Sequence, residues 1–449
     1  MGKLYDLYHL PLTQVAFVGL VCLCCPGMFN ALSGIGAGGL MASDITLTNT
    51  ANSVLYACFA VVGVFAGSIT NTIGVRATLF IGTWGYTIYS SSLWVYDTKQ
   101  VSGYVIASGA ILGCCAGLLW SAQGAVMMSY PEEKNKGKYV AVFWGLFNIG
   151  GILGSLITLG LNLQNHEGKV QTGTYVAFVV IMIVGICLSL LLAHPSKVVR
   201  KDGSHVKVHE AASYKEELKG VLSVWKEWRM LALIPAFLAS NWFYSYQFHM
   251  NAVYFNAVTR ALNSTMYWTM QIVGSLAIGL LLDYTGWSRR KRGFVGLIVM
   301  ALITTGVWIG GFIFQLGFDA SYDQPKHWTD PGFGGPFFLY MMYGLTDAIY
   351  QSFLYWTMGA MSNDTSILAR YAGFYKALQS AGSAFAFGID TGKVELRWAC
   401  LIPWILLMVS FPFIGLVVSK IPDTNVTADE IAEAAAEKDP DIKHELETA

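Results

Sequence analysis

The chain has 449 residues, of which 54% are hydrophobic and 12% are charged, and its 28 basic and 28 acidic residues give a formal net charge of zero. Soluble globular proteins carry about twice that share of charge, so the composition excludes a water-soluble protein of two or three domains. The zero net charge gives no field that would attract nucleic acid. We find no HExxH pair, phosphate-binding loop or nucleophile constellation, so we expect no metal, no cofactor and no enzymatic activity.

Twelve segments are apolar and long enough to cross a bilayer, which takes about 20 residues at about 1.5 Å each. Six of them cover residues 12–34, 51–73, 75–96, 103–129, 138–162 and 173–194. A polar stretch follows and includes a predicted surface helix at 210–228. The other six cover residues 229–250, 264–282, 292–316, 335–360, 367–389 and 396–419.

These segments predict an all-α membrane protein of about twelve transmembrane helices, with a six-helix half at 1–194, a linker at 195–228, a second six-helix half at 229–419 and an acidic tail at 420–449. Basic residues are retained on the cytoplasmic side of a membrane. If both termini are inside, the cytoplasmic segments hold 21 of the 28 basic residues, the outer loops hold six, and Lys376 falls within a span. We therefore expect a multi-pass protein with both termini cytoplasmic.

Asn263 starts a glycosylation triplet on the outer side, but its closeness to a span disfavours modification.

An internal repeat relates the two halves. The turn at residues 67–74, between spans two and three, and the turn at 279–286, between spans eight and nine, both fit G-x-[IL]-x-[ND]-x-x-G. Lys138 and Tyr139, entering span five, match Arg370 and Tyr371, entering span eleven. Because both matches fall at equivalent positions, we predict two parallel six-helix pseudo-repeats.

The two turns resemble the G-x-L-a-D-R-x-G-R/K signature of major facilitator transporters, and Asp283 matches its acid. The runs WSAQGA at 120–125 and SYPEE at 129–133, with the tract DAIYQSFLYWTMG at 347–359, resemble the Unc-ninety-three-like branch of that superfamily, fungal type. The resemblance covers most of residues 10–420 and implies the major facilitator fold.

In that superfamily the loop acid pairs with basic residues at the cytoplasmic face and stabilises one state of an alternating-access cycle. The resemblance therefore implies a conformational latch at Asn71, Gly74, Arg76, Asp283 and Gly286. Because Asn71 stands in place of the acid in the first copy of the turn, we expect that copy to stabilise this state only weakly.

Two ionisable residues lie deep inside predicted spans, where a charge costs about 2.5 to 3.5 kcal/mol. Asp347 lies about 18 Å below the outer edge and Lys376 about 14 Å from the inner edge, which places both at one depth. We hypothesise an ion pair that faces a central cavity and is broken by substrate or by protonation of Asp347. A permanent pair that only fixes helix packing is the alternative.

Four amide residues lie on the spans that flank the same cavity, where they would orient a polar ligand or, alternatively, only bond neighbouring helices. These are Gln123, Asn148, Gln351 and Gln379.

The resemblance implies a transporter that moves a small solute by alternating access. The depth of Asp347 adds the hypothesis that transport is coupled to protons through this residue. The same branch includes members regarded as ion-channel regulators or adaptors. A non-transporting adaptor that binds a protein partner through the linker or the tail is therefore the alternative. The buried Asp347 and Lys376 favour transport, whereas the altered first turn favours an adaptor. The lipid bilayer is the expected surrounding, and the solute is unknown.

Overall fold

The computed structural model describes residues 2–40, 44–132, 135–163, 169–200, 206, 214–321, 326–392 and 394–425. Twelve helical units in this part traverse the bundle, and we number them α1 to α12. The first six are α1 Pro11–Ile35, α2 Ile45–Ile73, α3 Val75–Lys99, α4 Ser102–Ser129, α5 Lys136–Asn162 and α6 Thr172–Ser189. In the second half, α7 consists of Trp228–Ala232, Ile234–Ala239 and Phe243–Tyr254, followed by α8 Ala257–Leu282, α9 Arg289–Ser321, α10 Gly334–Gly359, α11 Thr365–Thr391 and α12 Leu396–Val418.

The structure confirms the all-α membrane fold, because each predicted span coincides with one of these units. Eight helices of the described residues are long and apolar enough to cross a membrane by composition alone. The others are interrupted, as in α7, or more polar, as in α3, α10 and α11. Their polar side chains include Asp347 and Lys376, which the bundle buries.

The outer surface of the bundle is apolar. Large aliphatic and aromatic side chains between 63% and 77% exposed lie on helices of both halves, namely Val61, Leu280, Leu302, Ile313 and Phe385. A water-soluble protein does not expose such a surface, whereas lipid solvates it. The protein is therefore an integral membrane protein with many spans.

Two spans are interrupted where they face the interior. In α1 a π-helical turn at Leu23–Gly27 contains Pro26, which has no N–H to donate. In α7, where a continuous span was predicted, Pro235 lies in the first turn of the second segment. Residues 240–242 form a turn in which the N–H groups of Ser240 and Trp242 bond to carbonyls three residues back instead of four. Broken helices at membrane depth are tolerated where they border protein or a cavity, and Pro26 and Asn241 both line one.

The two halves meet along α2 with α11 and along α5 with α8. The helices approach closely at Gly67, where a Cβ would lie 2.5 Å from the Ala369 carbonyl oxygen. A helix in the linker, Tyr214–Val224, packs against α2 and α11. It is shorter than the predicted helix, whose residues 210–213 lie outside the described part. We call the end of the bundle that carries this helix the linker end, and the opposite end the far end.

Candidate functional site

Asp347 lies in the middle of α10 and is 2% exposed. Its Oδ2 accepts hydrogen bonds from Tyr244 Oη at 2.7 Å, Tyr267 Oη at 3.2 Å and Gln271 Nε2 at 2.5 Å. Its Oδ1 accepts from Gln351 Nε2 at 2.6 Å. A carboxylate has about four acceptor positions, so neutral donors from α7, α8 and α10 fill them. Asp347 thereby ties three helices of the second half together.

Lys376 is buried in α11 and points towards α4. Its Nζ lies 4.6 Å from the ring centroid of Trp120, 4.9 Å from that of Tyr375 and 5.3 Å from that of Tyr355. These distances are within the range of cation–π attraction. Nζ also donates to Gln379 Oε1 at 2.6 Å. Aromatic rings and one amide therefore surround the ammonium group.

Two amide side chains separate Lys376 from Asp347. Gln379 Nε2 donates to Gln351 Oε1 at 3.0 Å, and Gln351 in turn donates to Asp347. The predicted direct ion pair between Asp347 and Lys376 is therefore absent from this conformation. The rise per residue placed both groups at one depth, but it does not determine the direction in which each side chain points.

We call Gln351 and Gln379 the amide relay. Gln379 Nε2 has more acceptors within hydrogen-bond distance than it has hydrogens. Gln379 Nε2 also lies 2.6 Å from Ser240 Oγ, 2.9 Å from Asn241 Oδ1 and 3.1 Å from Tyr375 Oη. An amide nitrogen carries only two hydrogens, so these contacts, with the break in α7 and with Tyr375 of α11, compete with the contact to Gln351. The relay can thus rearrange without leaving a donor unpaired.

Gln123 and Asn148 do not join this network. Asn148 Nδ2 donates to the Trp144 carbonyl in its own helix at 2.8 Å. Gln123 Nε2 lies 3.5 Å from Met127 Sδ, also in its own helix. Both are fully buried, and neither amide oxygen has a hydrogen-bond partner among the described groups. The structure therefore brings together the other four candidates, which lie on α10 and α11, and leaves these two apart.

Sequence reasoning missed three of the four donors to Asp347, namely Tyr244, Tyr267 and Gln271. Gln271 lies within a predicted span, so the rule that singled out polar groups at membrane depth also applies to it. A tyrosine within a span gives no comparable signal, because aromatic residues are common at membrane interfaces as well.

Asp283 connects the two halves at the linker end. Its Oδ1 accepts from the Gly137 N–H at 2.9 Å and its Oδ2 from the Lys138 N–H. These N–H groups belong to the first turn of α5, where the helix dipole favours negative charge. Burial raises the pKa of the Asp283 carboxyl, and the two backbone hydrogen bonds and the positive charge of Arg292 oppose that rise. The acid therefore binds a helix end, whereas the resemblance implied direct pairing with basic residues.

The first copy of the turn is built differently. Gly74 ends α2 with φ of +82°, a conformation that glycine adopts readily. Asn71 is half-buried and Arg76 is exposed. The start of α11 corresponds to the start of α5, but a residue of its own half caps it. Asp364 Oδ1 accepts from the N–H groups of Ser366 at 2.8 Å and of Ile367 at 3.1 Å. In the second copy, Gly286 packs against Tyr284 in the turn.

Lys136, which was not predicted to act, makes a further contact between the halves at the linker end. Its buried Nζ donates to the Gly359 carbonyl, to the Ser362 carbonyl at 3.1 Å and to Asn363 Oδ1 at 3.1 Å. The carboxyl end of α10 carries partial negative charge, so a cation there is favourable. This contact joins α5 to α10.

The far end is closed by two further contacts. Arg260 of α8 is 4% exposed, and its guanidinium donates to the Ile35 carbonyl at 2.6 Å and to the Gly36 carbonyl at 2.9 Å at the end of α1. Nearby, Asp390 of α11 accepts from Asn49 Nδ2 of α2 at 2.8 Å. Each contact crosses from one half to the other.

The candidate glycosylation residue, Asn263, is fully buried in α8. Its Nδ2 donates to Asn251 Oδ1 at 2.9 Å. A glycan requires an accessible amide nitrogen, so the burial of Asn263 argues against modification at this position. The prediction assigned residues 257–263 to a loop, but they form the first two turns of α8.

A central cavity lies between the closed ends. Its walls carry aromatic rings from several helices and a smaller polar group, which consists of Asn30, Asn241, Gln351, Lys376 and Gln379. The cavity volume is about 50 Å³, and one buried water needs about 10 to 15 Å³. In this conformation the cavity therefore has room for a few waters.

The chain is similar to known proteins both in sequence and in structure. The family profile described as "Ion channel regulatory protein UNC-93" matches residues 49–418. UNC93-like protein 1 of Arabidopsis thaliana is 44% identical over 417 residues, 92% of this chain and 90% of that protein. An UNC93-like protein of Schizosaccharomyces pombe is 44% identical over 407 residues, 89% of this chain and 80% of that protein. The solved major facilitator superfamily transporter FucP, in the outward conformation, matches with a TM-score of 0.63 at 14% identity, over 91% of this chain and 99% of that chain.

Proposed function

Because this chain belongs to the UNC-93 family and has the major facilitator fold, both as its sequence predicts, we propose that it is a transporter and not an enzyme. It moves a small solute across the membrane by alternating access. The observation that carries this proposal is the central cavity, which lies between the halves and is closed at both ends by contacts that cross between them.

The contacts that close the two ends are weak enough to break when the halves separate. Asp283, Lys136 and Arg260 each bind backbone groups at the end of a helix. Such interactions contribute typically 0.3 to 1 kcal/mol and up to about 2 kcal/mol in partly buried sites. When the halves separate, water replaces the lost partners, so opening either end costs only a few kcal/mol.

Coupling to protons is the second part of the proposal. A proton on Asp347 would remove an acceptor from Gln351 and so rearrange the amide relay. Gln379 would then change its contact with Lys376, which lines the cavity. This rearrangement costs little free energy, because Gln379 has more acceptors within reach than it has hydrogens and each donor finds another partner.

We assign the linker end to the cytoplasm, because the segments predicted on that side carry most of the basic residues. The halves 1–194 and 229–419 would then rock against each other, joined by the linker 195–228. The acidic tail 420–449 would extend into the cytoplasm, and its residues 426–449 lie outside the described part.

An adaptor remains the alternative, because the family description names ion channel regulation. Such a protein would bind a partner through the linker or the tail, and its cavity would not need to open.

Access to the cavity from the two sides distinguishes these functions. Ala116 lines the cavity and is 2% exposed. We would introduce Ala116→Cys in a background that lacks the four cysteines that are not fully buried, Cys58, Cys114, Cys115 and Cys187. A membrane-impermeant maleimide is then applied to right-side-out and to inside-out vesicles.

A transporter should be labelled from both sides, because each state exposes the cavity in turn. Leu302→Cys, on the lipid-facing surface, is the matched control and should not react from either side. Labelling of Ala116→Cys from one side only, or from neither, would contradict alternating access.

A further inference from the structure

We propose that the solute is a small organic anion, a carboxylate with a flat apolar body, and that Lys376 binds its charge. This inference rests on the proposed transport function, because it names the solute class for the same cavity.

The charge of the cavity points to an anion. Of the described residues that line it, Lys376 alone has a basic side chain, and none has a carboxylate. Asp347 is the nearby opposite charge, but it does not line this cavity, and four neutral donors already occupy its oxygens. An ammonium group has three hydrogens to donate, and Gln379 takes one. Two donors therefore remain for a ligand.

The walls favour a flat apolar body. Trp120 and Trp144 line the cavity together with phenylalanines from α1, α2 and α5. Trp120 Nε1 donates to Tyr86 Oη and Trp144 Nε1 to Gln271 Oε1, each at 3.0 Å. Because both indole N–H groups are engaged, the ligand meets mainly ring surface. Aromatic rings stack well on such walls.

The ammonium group favours an anion over other solutes, and a buried tyrosine that does not line the cavity packs its ring against it. Tyr355 is fully buried, its ring centroid is 5.3 Å from Lys376 Nζ, and its hydroxyl has no hydrogen-bond partner among the described groups. A cationic solute would be repelled by Lys376, and a neutral one would forgo the stronger charge-assisted hydrogen bonds.

Three probes of one shape and different charge test the proposal. Benzoate, benzamide and benzylamine would be titrated by calorimetry into the purified full-length protein at pH 7. Benzoate should bind at least tenfold more tightly than benzamide, and benzylamine most weakly. Lys376→Met should weaken benzoate at least tenfold and leave benzamide unchanged, whereas Lys376→Arg should retain the preference. Lys99→Met, an exposed position outside the cavity, is the matched control and should change nothing.

Equal affinity for benzoate and benzamide would overturn the proposal, as would undiminished benzoate binding in Lys376→Met. The comparison of probes on the unmodified protein holds even where a variant fails to fold. If benzoate does not bind but Ala116→Cys is labelled from both sides, the solute class is wrong and transport stands. If benzoate binds through Lys376 but labelling is one-sided, the anion site stands and transport fails.

Discussion

Substituting Asp347 and Lys376 singly and together measures how directly the two groups interact. Asp347→Asn keeps the shape of the side chain but leaves one acceptor oxygen where the carboxylate had two. At least two of the four donors to Asp347 then lose their partner. A buried unpaired donor costs about 1 to 3 kcal/mol, and bonds between membrane helices lie at the low end. We expect the free energy of unfolding to fall by about 2 to 4 kcal/mol.

Lys376→Met supplies the other side of the double-mutant cycle. For two charges in direct buried contact, removing one leaves the other unpaired at a cost of about 3 to 5 kcal/mol, which the double variant would recover. Two charges about 4 Å apart attract by about 4 kcal/mol at an effective dielectric constant of about 20. Asp347 and Lys376 attract less than that, because Gln351 and Gln379 lie between them. We therefore expect a coupling energy of about 1 to 2 kcal/mol.

Unfolding by SDS in mixed micelles, followed for the four proteins, gives the coupling energy directly. Lys99→Met combined with Asp347→Asn is the control, and its effects should add to within about 0.5 kcal/mol. A coupling of about 3 kcal/mol or more, with the double variant as stable as the unmodified protein, would refute the relay and support a permanent ion pair.

The remaining predictions concern the two ends of the bundle. Asp283→Ala should weaken closure of the linker end by about 1 to 2 kcal/mol, a roughly 5- to 30-fold shift towards open in spin-label distances. Because burial raises the pKa of Asp283, the closed end binds a proton more tightly than an open end with this group in water. Closure should strengthen as pH falls through the raised pKa towards the ordinary value near 4, and Asp283→Asn should abolish that dependence. Arg260→Met should instead open the far end. Asn263→Gln should leave the mobility of the cellular protein unchanged on electrophoresis, because a glycan needs an accessible amide nitrogen and this residue is buried.

A control variant and a contradicting result can be named for these predictions. Asp330→Ala, in a loop at the far end, is the control for Asp283→Ala and should leave the linker end closed. Unchanged linker-end distances in Asp283→Ala would contradict the latch, and closure that strengthens with rising pH would contradict a raised pKa of Asp283 in the closed state. Opening of the linker end in Arg260→Met would contradict its assignment to the far end. A mobility shift in Asn263→Gln would show that the asparagine is accessible.

The sequence predicted the fold well because hydrophobic length and charge placement determine which segments enter a bilayer. It failed where helices depart from regularity. Span seven was predicted as one helix, but Pro235 and the turn after Ala239 divide α7 into three. The apolar character of this stretch is the same whether it is continuous or broken, so composition carries no sign of the turn at residues 240–242.

The site was predicted in part for a related reason. Asp347, Gln351, Lys376 and Gln379 were found because polar groups at membrane depth are costly and therefore stand out. Their partners depend on the rotation of neighbouring helices, which no pattern within one chain reveals. Asp390 was missed because the predicted span ended one residue before it, whereas α11 continues to Thr391.

The contacts that close the bundle have a consequence for how this protein can diverge. Asp283, Lys136 and Arg260 bind mainly peptide groups of the opposite half, and every residue type except proline has both a peptide N–H and a carbonyl. Substitutions at the receiving helix end therefore leave the bonding groups in place, except at Gly137, where a Cβ would lie 2.7 Å from Asp283 Oδ1, and at Gly36, whose φ is +83°. A search for pairs of positions that change together among related proteins would pass over these gates, although they hold the two halves closed.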